Sequence, residues 1–124
     1  MAQRFWLRIE EILEGILAAL VGNFVRATVT FETADETVLF TVPAGRKAKW
    51  SLADVTEVWD GVGATFDVGW AADPDGVFDG LDLTTLGPTA SGTPHSFTTE
   101  TQIYVTVNHQ ASTTGEAEVV MELV

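Results

Sequence analysis

Four carboxylates, Asp73, Asp75, Asp79 and Asp82, fall within ten positions of the chain, the densest set of hard oxygen donors in the sequence. Oxygen ligands at such spacing suit Ca²⁺, and an EF-hand loop asks for them at positions 1, 3 and 5, with glycine at 6 and a carboxylate at 12. Counted from Asp73, position 3 is Asp75, but positions 5 and 6 are Val77 and Phe78. The template fails there. Asp73-Pro74-Asp75-Gly76 matches a type I turn at every position, with Asp bonding back to the backbone, Pro presetting φ and Gly closing the turn. The expectation is therefore a turn and no cofactor, with an irregular Ca²⁺ site on Asp73, Asp75, Asp79 and Asp82 as the alternative.

Other chemistry is thinly represented. His95 and His109 are the two histidines, with no His or Cys at ligand spacing. Ser96 beside His95 is not a triad, because a triad needs an orienting acid and an oxyanion hole brought together in space. No nucleophile elbow, phosphate loop or dinucleotide fingerprint occurs. Without a nucleophile, base and stabiliser in sight, the chain reads as a non-enzyme. Trp50, Trp59 and Trp70 are expected in a sheet core, where large rings pack well. Turned outward, they would instead stack on sugar rings, making a carbohydrate- or receptor-binding module the alternative function. Arg46, Lys47 and Lys49 form a compact basic group, read as a solvated strand start or as an electrostatic contact to the acidic half of a neighbouring copy.

The elements that must position these residues follow from composition and period. The 124 residues suffice for a single core, and the absence of cysteine excludes disulfides and thiolate metal sites. Residues 1–49 hold all six basic residues and six acids, so the formal charge of −12 resides in residues 50–124. Such a surface repels phosphate backbones, which excludes nucleic acid as a partner.

Residues 3–22 place apolar side chains at Phe5, Trp6, Ile9, Ile12, Leu13, Ile16, Leu17 and Leu20, the period of an amphipathic helix. Glu10, Glu11 and Glu14 interrupt the run, so neither a signal peptide nor a membrane span is expected. Within it, Trp6, Leu13 and Leu20 alternate with Ile9 and Ile16 as a short heptad seam of the kind that leans towards trimers or tetramers. The helix would pack this stripe on its own domain or on a partner.

From Phe24 the period becomes two. Val25, Ala27, Val29 and Phe31 alternate with polar residues, and further strands are expected over 37–42, 47–59, 64–70, 101–107 and the last eight residues. Trp50, Leu52, Val55 and Val58 are the core candidates of the second of these. Residues 80–94 read as a surface excursion with one or two short strands. The expected architecture is mainly β: a single jelly-roll-like β-sandwich of seven to eight strands over 24–124, preceded by an amphipathic α-helix over 1–23.

Three stretches, Phe40-Thr41-Val42-Pro43-Ala44-Gly45-Arg46, Asp60-Gly61-Val62-Gly63 and Val68-Gly69-Trp70-Ala71-Ala72-Asp73-Pro74-Asp75-Gly76, together resemble small β-sandwich modules of tailed-phage virions, the head-decoration and tail-fibre type. The likeness spans residues 37–87 and returns at 101–124. It implies a structural protein on the virion exterior, often trimeric, with copies of itself and other virion proteins as partners, and it carries over no catalytic residue. The assembly interface expected from periodicity is Phe5, Trp6, Ile9, Ile12, Leu13, Ile16 and Leu20. A host-surface glycan is the further partner that outward Trp residues would bring.

Overall fold

A computed structural model describes residues 23–124, all of it strands and their connections. The helix expected over 1–23 and its seven expected interface residues lie outside the described residues, save Asn23, which opens the first strand. No helix among the described residues is long and apolar enough to cross a membrane.

The described residues form nine strands, rather than seven or eight: β1 (Asn23–Thr30), β2 (Glu36–Val42), β3 (Lys47–Glu57), β4 (Thr65–Trp70), β5 (Asp73–Asp82), β6 (Gly87–Ser91), β7 (His95–Ser96), β8 (Thr101–Asn108) and β9 (Glu116–Leu123). One antiparallel sheet runs β1-β9-β3-β6, with β7 also on β3, and the other runs β2-β8-β4-β5. Apart from the β4–β5 hairpin and the β6–β7 step, each connection crosses from one sheet to the other. With β6 and β7 sharing one place beside β3, this is the eight-position wiring of a jelly roll.

Alternation decides what each strand buries. Ala117, Val119, Met121 and Leu123 of β9 share the core with Ile103, Val105 and Val107 of β8 in the other sheet, with Phe66 and Val68 of β4 beside them, every second residue of each strand being buried. In β3 the inward row is Ala48, Ser51, Ala53 and Val55. A bulge between Ala48 and Trp50 turns Trp50 and Leu52 to the outer face, and Val58 is exposed beyond the strand end, so three of the four expected core residues of this strand lie outside the core. The small inward residues leave room for the large side chains of the facing sheet.

The Asp-rich stretch is the largest departure. Trp70 pairs with Asp73, so the chain reverses at Ala71-Ala72, and Asp73-Pro74-Asp75-Gly76 opens β5 instead of forming a type I turn. The register then jumps from Trp70↔Asp73 to Val68↔Phe78, a wide irregularity that absorbs Pro74. A strand interior excludes Pro, whereas an edge strand with a bulge accommodates its missing N–H, and β5 is an edge. Gly69 makes the irregularity feasible, because a Cβ there would meet the Pro74 carbonyl carbon at 2.5 Å. Val77, Phe78 and Leu81 of the same strand are buried.

Trp59 occupies the core just past the end of β3, 1% exposed. Gly115 approaches it so closely that a Cβ would lie 2.4–2.6 Å from the indole, and its φ of +140° is unfavourable for other residues. Gly115→Ala is expected to cost about 2–4 kcal/mol through overpacking and backbone strain, read as a lowered urea midpoint at unchanged slope.

Candidate functional site

The wiring gathers the loops into two poles, one where cations and acids lie together and one where acids lie alone. At one pole meet the start of β1, the β2–β3 and β4–β5 connections, the β7–β8 loop and the last residue, Val124. Arg46, Lys47 and Lys49 all lie here, three of the four described cations, and residues 1–22 join the sandwich here at Asn23. The opposite pole collects Glu32, Asp35, Glu36, Glu57, Asp60, Asp82 and Glu116, all exposed, and no described Lys or Arg.

The basic group is partly structural. Arg46 donates from Nε to the Val124 carbonyl and from Nη2 to the Leu123 carbonyl, both at 3.3 Å, which ties the end of β9 to the β2–β3 turn. Lys47 exchanges backbone hydrogen bonds with Val124 and leaves its side chain exposed. Lys49 reaches Glu122 at 3.8 Å. Glu122 is 3% exposed although it points to the outer face, where it pairs with Phe24 on one side and Trp50 on the other. Its Oε2 accepts a 2.6 Å hydrogen bond from Trp50 Nε1, and the Phe24 and Trp50 rings meet edge to face at 6.0 Å. Trp50 thus has its polar atom satisfied on the outer surface of the sheet, where sequence alone placed it in the core.

Trp70, half-buried at the end of β4, packs edge to face on His95 at 5.1 Å and on Phe97 at 5.2 Å. Gly76 leaves space for its ring, since a Cβ there would sit 2.6 Å from Trp70 Cη2. Beside it opens a groove of about 520 Å³ between the β4–β5 hairpin and the first residues of β8. Trp70 and Tyr104 supply the aromatic surface, Glu100 and Gln102 the polar groups, and Ala71 and Ala72 a low hairpin wall. Gln102 and Tyr104 share the outer face of β8, and Tyr104 stands opposite side-chain-free Gly69. Sequence reasoning named Trp70 but missed the groove, because Tyr104 and Gln102 join it only through the pairing of β8 with β4.

The four Asp residues of the Asp-rich stretch are spread along β5. Asp73 and Asp75 come together at its start, where a hydrogen bond from Asp75 holds Asp73 above the ordinary carboxylate value, with slight desolvation and the Asp75 charge adding and His95 opposing. Asp79 is exposed in mid-strand, and Asp82 at the far end accepts from the Thr84 amide and hydroxyl and the Thr85 hydroxyl, which lowers its pKa. Among the described residues no three His, Cys, Asp or Glu side chains are grouped to hold a metal ion. An unchanged melting midpoint on adding EDTA is the expected outcome, and a lowered midpoint would establish a bound ion.

At the acidic pole, polar side chains staple the loops. Asp60 accepts from the Thr113 amide at 2.7 Å, the Thr113 hydroxyl at 2.6 Å and the Thr114 amide at 3.2 Å. The His109 ring lies 6.0 Å from that of Trp59 at a 46° tilt, with Nδ1 3.0 Å from Asp35 and Nε2 on the Thr33 carbonyl, joining the β1–β2 and β8–β9 loops. The Thr113 hydroxyl, followed by its amide, lowers the Asp60 pKa below 3.8. A depressed carboxylate stabilises the fold above its ordinary value and loses that contribution as pH falls through the folded one. Asp60→Asn should therefore melt lower than wild type at pH 7, with the gap closing below about pH 3.8. A gap independent of pH would show that the carboxylate charge is not what holds the loop.

Comparison with protein-family models and with curated proteins finds no match. Among solved structures, the fold is similar to a chain in the acidic stable capsid structure of Helicobacter pylori bacteriophage KHP30, with a TM-score of 0.64 at 14% identity over 82% of this chain and 84% of that one. It is similar to a chain of the cyanophage Pam1 capsid asymmetric unit to the same TM-score, at 18% identity over 82% of both chains. The β-sandwich that the sequence resemblance implied is thus shared, at the level of fold, with chains of two phage capsids.

Proposed function

We propose that the chain is a non-enzymatic structural subunit on the exterior of a tailed-phage virion, held to the particle or to sister copies through residues 1–22. The observation that carries this reading is the fold itself, which matches chains of two phage capsid structures over four-fifths of its length. The polarity of the sandwich supports an orientation. The pole where residues 1–22 enter also carries Arg46, Lys47 and Lys49, and would face the particle, while the acidic pole would face solvent. Like-charged outer surfaces keep neighbouring particles apart.

The attachment energy in this reading comes from Phe5, Trp6, Ile9, Ile12, Leu13, Ile16 and Leu20. Each such side chain contributes about 1.5–3 kcal/mol when a partner covers it, before ordering costs. A trimer through the Leu and Ile seam is the favoured assembly.

Two measurements test the proposal. Peptides of this chain are expected in gradient-purified phage particles, and a gradient that strips the chain from the particle band overturns the virion role. In sedimentation velocity, the full chain should self-associate and a variant lacking residues 1–22 should run as a folded monomer. An oligomer that survives the truncation places the interface on the sandwich instead.

A further inference from the structure

We propose that the groove between the β4–β5 hairpin and β8 is a binding site for a neutral saccharide. Its lining combines two aromatic side chains, Trp70 and Tyr104, with a carboxylate and a carboxamide, Glu100 and Gln102, and two hydroxyls, Thr99 and Thr101. A pyranose presents both surfaces such a lining needs, apolar C–H faces for aromatic rings and a rim of hydroxyls for paired donors and acceptors. A purely apolar ligand would strip water from Glu100 and Gln102 without returning hydrogen bonds.

The charge selects further. Among the described residues no Lys, Arg or His lines the groove and Glu100 sits in it, which disfavours phosphorylated, sulfated or uronic chains. The volume of about 520 Å³ lies in the range of small-molecule sites.

The site is also held in place before any ligand arrives. Trp70 is fixed by His95, Phe97 and the space left at Gly76, so stacking on it freezes little side-chain motion. Gln102 and Tyr104 stand on one face of β8, a central strand paired on both sides. Ala71 and Ala72 carry only methyl groups, which keeps the groove open at its end for a chain longer than one sugar.

The test is titration of the ¹⁵N-labelled full chain with maltohexaose, cellohexaose and the hexamer of N-acetylglucosamine, followed by NMR. At least one probe should give saturable shifts at the Trp70 indole and at residues 99–104. Tyr104→Ala and Gln102→Ala, both on the strand's outer face, should each weaken binding about fivefold to tenfold at unchanged melting temperature. Should either variant lose its fold, Glu100→Gln at the exposed loop serves the same comparison. No saturable shift with any probe to about 10 mM, or shifts that these substitutions leave unaltered, overturns the proposal. Such a result leaves the virion role standing, since that role is read from the particle gradient.

Discussion

Every feature of this molecule depends on two twisted sheets covering each other's inward rows. The rows from β9 and β3 on one side and β8 and β4 on the other are almost wholly Val, Ile, Leu, Met, Phe and Ala, and they close with side chains that differ in size across the gap. The inward row of β3 holds small residues, Ala48, Ser51 and Ala53, while the other sheet contributes the larger Phe66, Val68 and Ile103. Because the core is continuous from end to end, the loops at both poles are held by strands that cannot shift separately. The irregularity of β5 is accommodated where Gly69 and a free edge leave space, so that part of the chain spares the closure.

The same wiring distributes charge unevenly, with Arg46, Lys47 and Lys49 among acids at one end and acids alone at the other. Strands that alternate between sheets return every second connection to the same end, so residues far apart in sequence accumulate at one pole. Glu32, Asp60, Asp82 and Glu116 become neighbours of one acidic surface although about 85 positions separate the first from the last. The acids there are not left to repel freely: Asp60 and Asp82 are satisfied by Thr hydroxyls and amides that lower their pKa, and Asp35 meets the His109 ring. The opposite pole is where the chain enters, where its cations lie, and where the aromatic groove opens. One end thus carries acids alone, and the other combines cations, acids and aromatic rings.

The likeness to chains of two phage capsids at 14% and 18% identity shows how weakly this fold constrains individual residues. What the architecture demands is an apolar residue at alternate positions and glycine at a few close approaches, such as Gly69 under the β5 bulge and Gly115 against Trp59. Neither demand fixes which apolar residue is used. Identity can therefore drift while the wiring persists.

Sequence alone was enough for the mainly β character, most strand positions and the inward rows of β4 and β8, because alternation of period two is a local property that survives in any partner arrangement; for β9 it left open which alternate set faces inward. It also determined the surplus of negative charge. That the Asp-rich stretch is an edge strand follows from long-range pairing, since Asp, Pro and Gly disfavour strands on average and are admitted here by the free edge and bulge that pairing with β4 creates. Long-range pairing likewise turned Trp50 outward onto Phe24 and Glu122, through a one-residue bulge that reverses the faces of β3 and that no local pattern signals. The groove belongs to the same class: Trp70, Glu100, Gln102 and Tyr104 lie on two strands and a loop, and their meeting is a consequence of long-range register alone.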